Sequence, residues 1–323
     1  MYKISNVHIH SIAACVPKNT IKNIANDNNS KVIKSIGVKM RHVVNDDQSA
    51  MDLCIAAAQD IFDQTSLNAE DIGAVIFVSQ TPEYQLPATA CIIQSILGIS
   101  NDTIAYDVNL GCSGYTHGLF LASGLIQSGV ENILLLTGDT ISKTIDKNDN
   151  STSLLFGDAG CATILTRKKN SSISCVLGVD GSGFEAIIID NKYAKRTSYK
   201  DNYLTMNGGE VFAFTLRCIP KLIKESLSFS DLEKDDISYF VFHQANLFML
   251  KTLASSIGID FEKFPVSIDQ YGNTSSASIP LTICHKKSII KGKVLMAGFG
   301  VGLSWSSVIA DLSDTKILNI IEL

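Results

Sequence analysis

The sequence predicts an α/β fold, and three observations carry that prediction. Five short, almost unbroken apolar runs are spaced along the chain, segments of helical periodicity lie between them, and the 323 residues are 46% hydrophobic and 18% charged. Unbroken apolar runs suit strands covered on both faces. Their alternation with amphipathic helices suits a sheet layered between helices. The composition supports a large core, about two domains on length, and excludes a disordered or fibrous chain.

In chain order, Met51 to Thr65 places Leu53, Ala57 and Ile61 at i, i+4 and i+8, a single stripe on a helix. The first strand run follows, Ala74-Val75-Ile76-Phe77-Val78. An apolar segment, Ile104 to Leu110, leads into a Gly-rich turn and then a helical pattern over Ser113 to Gln127, with Gly or polar residues at its ends. Two more strand runs are Ile133-Leu134-Leu135-Leu136 and Ala162-Thr163-Ile164-Leu165. The polar stretch Arg167 to Ser174 reads as a linker, and a break near 170 gives domains 1–170 and 171–323, both of ordinary size. Asn191 to Tyr203 reads as an exposed loop. Gly209 to Leu227 is helical in pattern, with Pro220 expected to kink or split it. The runs Tyr239 to Phe242 and Val294 to Ala297 complete the strands. No sequence repeat is evident, as expected even of a duplicated fold whose halves have diverged.

Charge and cysteine usage exclude several functions. A formal net charge of -5 offers no basic face for nucleic acid. No charged N-terminal segment precedes a long apolar run, and no stretch approaches the ~18 apolar residues of a membrane span. A soluble cytoplasmic protein with no membrane partner is expected. The eight cysteines form no CxxC pair, so no metal site is expected. Each cysteine is by default a small buried apolar residue, unless its neighbours single it out.

Cys112 is singled out, in Asp107-Val-Asn-Leu-Gly-Cys-Ser-Gly-Tyr115. A strand–turn–helix setting puts its thiol at a helix N-terminus, where the macrodipole favours thiolate. Gly111 and Gly114 let backbone pack closely at the turn. The alternative is a buried cysteine at a tight turn. His243 ends the apolar run of Phe240-Val-Phe-His-Gln-Ala-Asn246. Strand ends in α/β sheets carry functional groups, so His243 is a candidate base or hydrogen-bond donor, or else a satisfied structural histidine. Asn273 lies in Gln270-Tyr-Gly-Asn-Thr-Ser-Ser-Ala-Ser-Ile-Pro280, by itself an ordinary loop and helix start. In Ala297-Gly-Phe-Gly-Val-Gly-Leu-Ser-Trp305, alternate glycines suggest close backbone approach to a ligand, without the context of a nucleotide site. His8, His10 and His285 are expected to be solvated, His42 follows Arg41 in a charged stretch, and His117 is assigned to packing.

Together and in this order, the cysteine turn, His-Gln-Ala-Asn, Gly-Asn-Thr-Ser and the Gly-rich tail strongly resemble ketoacyl-acyl-carrier-protein synthase III, of the thiolase superfamily. Gly37 to His42, Leu86-Pro87-Ala88, Phe156-Gly-Asp158 and Gly208 to Phe212 extend the resemblance over nearly the whole chain. The resemblance implies a five-layered αβαβα fold of two similar halves, a homodimer, and a Cys112-His243-Asn273 triad. It implies that Cys112 takes an acyl group from an acyl thioester. Backbone N–H groups of Cys112 and Val301 would form an oxyanion hole. His243 and Asn273 would donate to a malonyl thioester as it loses carbon dioxide, and the carbanion would attack acyl-Cys112. Substrate-binding places fall to Leu86, Gly208, Asn246 and Phe248. Acyl-coenzyme A or acyl-carrier protein is the substrate and no cofactor is required.

The departures from the family pattern are specific. Lys31 stands where a Trp stacks on the coenzyme A adenine, and Asn150 where an Arg partners it. Phe248 replaces an Arg of the carrier-docking patch, Ser255-Ser256 a Lys pair, and Ala213 a Lys, with Arg217 and Lys251 nearby. Leu86 replaces an aromatic at the floor of the acyl tunnel, which hints at a longer or bulkier acyl group, and Val301 replaces a Gly. The leading reading is a specialised rather than housekeeping condensing enzyme. The second is an acyltransferase with His243 as base toward a hydroxyl or amine, and the third a non-catalytic binding or scaffold homologue.

Overall fold

The computed structural model describes residues 1–27, 29–190 and 203–323. Nine strands form the main sheet: β1 (Tyr2–Val16), β2 (Ala74–Val78), β3 (Ile104–Val108), β4 (Asn132–Asp139), β5 (Ala159–Val179), β6 (Tyr239–Phe242), β7 (Lys293–Gly300), β8 (Ser304–Asp311) and β9 (Lys316–Glu322). The helices that cover it are α1 (Ala50–Gln64), α2 (Thr89–Ile96), α3 (Gly114–Gln127), α4 (Gly208–Phe229), α5 (Leu247–Ile257) and α6 (Ser278–His285). Strand order is β6-β7-β8-β5-β4-β2-β3, with β1 paired to both β5 and β9.

The two-residue period of the strands decides the layers. On the β2–β4 wing, Ile76, Val78, Ile133 and Leu135 pack with Tyr115, Leu119 and Ala122 of α3. Val75, Phe77, Leu134 and Leu136 point the other way, onto Leu53, Ala57 and Ile61 of α1 and Ile93 of α2. On the β6–β7 wing, Val241, Val294 and Met296 share the inner cluster with Ile279, Leu281 and Ile283 of α6. Phe240, Phe242, Leu295 and Ala297 face outward onto α4 and α5. The result is five layers, αβαβα, with α3 and α6 in the middle. Strands with helices on both sides must be apolar at every position, which is why they appear as unbroken runs.

Three expectations change. Arg167 to Ser174 is not a linker but lies inside the 21-residue β5. There the register with β1 jumps from Val7↔Arg167 to Ser5↔Ser172, and Asn170 takes a left-handed φ of 62°. The stretch is polar because it is an exposed bulge between two paired segments. Pro220 does not split its helix, which runs unbroken from Gly208 to Phe229. Its neighbours Ile219, Leu222 and Ile223 are buried in one cluster, and that packing outweighs one missing backbone hydrogen bond. His8 is 8% exposed rather than solvated, because β1 is a central strand. The loop expected at Asn191 to Tyr203 falls, apart from exposed Tyr203, outside the described residues.

Candidate active site

Cys112 sits between the end of β3 and the start of α3, where Gly114 N–H bonds the Gly111 carbonyl at 2.6 Å. Close approach requires Gly114, whereas at Gly111 the nearest atoms belong to the movable end of Gln80. A Cβ on Gly111 would stand 2.1 Å from Gln80 Oε1, and one on Gly114 2.7 Å from Val78 Cγ1. The Gly-rich tail closes on the same point from the opposite wing. A Cβ on Gly300 would meet Cys112 Cβ at 2.8 Å, and one on Gly298 the Ser113 Cα at 2.7 Å. The alternate glycines thus let backbone approach the cysteine turn itself.

His243 directly follows β6, and its N–H continues the β6–β7 pairing to the Ala297 carbonyl at 2.8 Å. The imidazole is 1% exposed and meets the edge of Phe299 at 5.7 Å between centroids. Burial pushes its pKa down to about 3, with the Ser275 carbonyl pulling weakly the other way. The ring is therefore neutral at working pH. The Ser278 hydroxyl lies 2.7 Å from Nδ1, and when it donates there the ring proton resides on Nε2.

Asn273 is anchored through its backbone: its N–H bonds the Leu155 carbonyl at 2.9 Å, and its carbonyl accepts from Gly157 N–H at 3.1 Å. Its side-chain oxygen accepts from Ser275 N–H at 3.0 Å. That leaves the amide NH₂ as the free end, a donor. The Phe156-Gly-Asp158 motif is the platform beneath. Buried Asp158 takes the N–H groups of Val44 and Ser142 at 2.9 and 3.0 Å, and its own N–H bonds the His42 carbonyl at 2.8 Å.

One cavity of about 80 Å³ is lined by Cys112, His243, Asn273, Gly208, Asn246 and Val301. Ile141, Leu155, Met206, Val211 and Phe299 give it an apolar side. At roughly 30 Å³ per water, the volume is that of two to three waters. Leu86 and Phe248 do not line it and are 82% and 53% exposed. Phe248 instead stacks on Phe212 at 5.5 Å, two residues beyond Asn246. Lys31 is exposed on the short helix Ser30–Ile36, and Asn150 is exposed as well. Of the basic residues near Phe248, Arg217 lies 4.0 Å from Asp180, and Lys251 lies over the Phe261 ring. His117 belongs to packing, with Nδ1 2.9 Å from Ser306 Oγ. Among the described residues, no group of three or more His, Cys, Asp or Glu could hold a metal ion.

Burial pushes the Cys112 pKa up to about 12 and the charge of Asp139 adds to the rise, against the Ser275 hydroxyl and the N–H groups of Cys112 and Val301. Desolvation outweighs these three hydrogen bonds. Because thiolate is the reactive form, alkylation of Cys112 by iodoacetamide should rise about tenfold per pH unit between about pH 7 and pH 10. A plateau reached near pH 7 would contradict a raised pKa.

Asp139 and Ser275 were not among the expected site residues. Asp139 is fully buried at the end of β4. It accepts from Gln80 N–H at 2.7 Å, Ser276 N–H at 3.1 Å and Ser276 Oγ at 2.7 Å, tying the two wings together. Its sequence signal was the one used for His243, a polar group ending an apolar strand. Ser275 has φ +49°, a left-handed turn that no local pattern announces.

The layered sheet and a cavity shared by Cys112, His243 and Asn273 define a condensing enzyme of the thiolase fold. The model of the 3-oxoacyl-[acyl-carrier-protein] synthase III family matches residues 106–181, and that of its C-terminal part residues 227–312. The beta-ketoacyl-[acyl-carrier-protein] synthase III of Clostridium tetani is 33% identical over 329 residues, covering 94% of this chain and 98% of that protein. The crystal structure of a 3-oxoacyl-(acyl-carrier protein) synthase from Burkholderia xenovorans is 39% identical with a TM-score of 0.96, covering 100% of this chain and 98% of that one. The enzyme of that type from Thermus thermophilus is 32% identical with a TM-score of 0.87, covering 94% and 98%. The chain belongs to the 3-oxoacyl-[acyl-carrier-protein] synthase III family.

Proposed function

We propose that the enzyme loads an acyl group on Cys112 and extends it by decarboxylative condensation with malonyl-acyl carrier protein, as a specialised member of its family. The carrying observation is that neutral His243 and the free NH₂ of Asn273 share one cavity with Cys112. In the first half-reaction, Cys112 sulfur attacks the thioester carbonyl, held by the N–H groups of Cys112 and Val301. The departing thiol takes the proton. In the second, the malonyl C–CO₂⁻ bond breaks, carbon dioxide leaves, and its electron pair becomes an enolate held by His243 and Asn273. The enolate carbon attacks the acyl carbon, and the C–S bond to Cys112 breaks. The thiolate regains a proton, and a 3-oxoacyl thioester results. Donors aimed at a developing oxyanion act strongly in a dry site.

A His243 held near pKa 3 is a poor base at neutral pH, which speaks against transfer to a hydroxyl or amine that needs it as base. The acyl donor is coenzyme A- or carrier-bound, and no other cofactor enters this chemistry. Gly208 and Asn246 belong to the cavity wall, where the reacting end of a thioester would lie.

We also read 1–170 and 171–323 as duplicated halves. In each, a strand, a second parallel strand and an antiparallel neighbour follow in order: β2, β4 and β5, then β6, β7 and β8. A homodimer is supported by the edge strand β3, whose residues are all partly or fully exposed, and by exposed Tyr84 and Leu86. Exposed Leu86 would then floor the acyl site only across such a dimer. Among the described residues, no helix is long and apolar enough to cross a membrane, in keeping with a cytoplasmic enzyme.

Mass spectrometry tests both parts. An acyl adduct from one of a panel of acyl-coenzyme A and acyl-carrier thioesters is expected on the native protein and not on Cys112→Ala. Malonyl-carrier should then discharge it. No adduct from any donor would overturn the mechanism, and a monomer in native spectra would overturn the dimer.

A further inference from the structure

Beneath Cys112, two hydroxyls meet that the chemistry above does not use. Ser113, next in sequence to Cys112, and Ser304, which opens β8, are 0% and 3% exposed, with their Oγ atoms 2.7 Å apart. Ser304 Oγ also donates to the Val301 carbonyl at 2.7 Å. A hydroxyl carries one proton. Since Ser304 directs its proton to Val301, Ser113 must supply the proton between the two serines. The chain therefore has one direction: Ser113 O–H to Ser304 O–H to Val301 C=O.

Its ends are the neighbour of Cys112 and Val301 itself, the two residues whose N–H groups act on the Cys112 sulfur. We infer that Ser113 and Ser304 are positioning residues, a hydroxyl strut that fixes how the N–H groups of Cys112 and Val301 converge on the oxyanion; this rests on the oxyanion role proposed above. The glycine contacts of β7 limit how near the two segments come, but a steric contact sets no direction. The strut is the directional bond across the gap. One turn further along α3, Thr116 Oγ1 bonds Ser306 Oγ and donates to the Ser113 carbonyl at 3.0 Å. That second link joins α3 to β8 independently, so the fold should survive loss of the strut.

The test compares two reactions of the same sulfur in native protein, Ser304→Ala, Ser113→Ala, the double variant and Ser304→Thr. Acylation by a thioester builds an oxyanion, whereas alkylation by iodoacetamide does not. Ser304→Ala should slow acylation about tenfold, less than the 10²–10³ lost when an oxyanion donor is deleted outright. Its alkylation rate per thiolate, taken from the pH profile, should stay within about twofold. Ser113→Ala should lose less, because Ser304 still holds Val301. The double variant should match Ser304→Ala, since one chain is broken once. Ser304→Thr keeps the hydroxyl and should restore acylation. Equal losses in both reactions, an unchanged acylation rate, or multiplying losses in the double variant would each overturn the strut. Acylation absent from native protein itself would instead overturn the proposed function.

Discussion

Asn273→Asp should leave acylation of Cys112 within a few-fold of native and lower malonyl decarboxylation by about 10²–10³. The substitution is almost isosteric. A carboxylate oxygen can still accept from Ser275 N–H, the 3.0 Å bond that orients the native side chain. What disappears is the NH₂ donor, replaced by a negative oxygen that would repel the proposed enolate. His243→Ala removes the second donor and should give a loss of the same order. Rapid-mix measurement of acyl-enzyme formation, beside release of labelled carbon dioxide from malonyl-carrier, separates the half-reactions. Equal loss in both steps would mean that these residues hold the cysteine rather than the enolate. Retained decarboxylation would remove them from the mechanism.

The second large effect is structural. Gly157→Ala would place a Cβ 2.1 Å from the Tyr271 carbonyl oxygen and 3.2 Å from that of His42, both backbone atoms that no rotamer change can clear. Gly157 also donates to the Asn273 carbonyl. The Tyr271–Asn273 segment must therefore shift, at a stability loss of about 3 kcal/mol, the upper end of typical overpacking. A fall in melting temperature of the order of 5 °C should accompany slower condensation. An unchanged melting temperature would show that the Phe156-Gly-Asp158 platform can yield, and that Asn273 is placed by other contacts.

The two predictions concern different links in one chain of cause. Asn273 contributes a donor, and Gly157 contributes the place where that donor stands. The raised pKa of Cys112 belongs to the same logic. The burial that lowers the His243 pKa also raises that of Cys112, so both groups are held in their neutral forms.

By itself, the sequence determined the layered α/β architecture, because strands covered on both faces must be apolar at every position. Ala74 to Val78 and Tyr239 to Phe242 match their strands residue for residue. The grouping of Cys112, His243 and Asn273 came from four motifs resembling one family in one order; by local pattern alone Asn273 reads as an ordinary loop and helix start. Tertiary structure alone decided the rest. The strand β1 was not visible, because His8, His10 and Ser11 interrupt its apolar pattern while its neighbours on the sheet supply the burial. The polar stretch within β5 looked like a linker because an exposed bulge and a linker have the same composition. The raised Cys112 pKa is an effect of burial, and burial is a property of everything packed around the sulfur. The Ser113–Ser304 contact joins residues 191 positions apart. Neither serine carries a local signal of it, since the bond exists only where the end of one wing meets the beginning of the other.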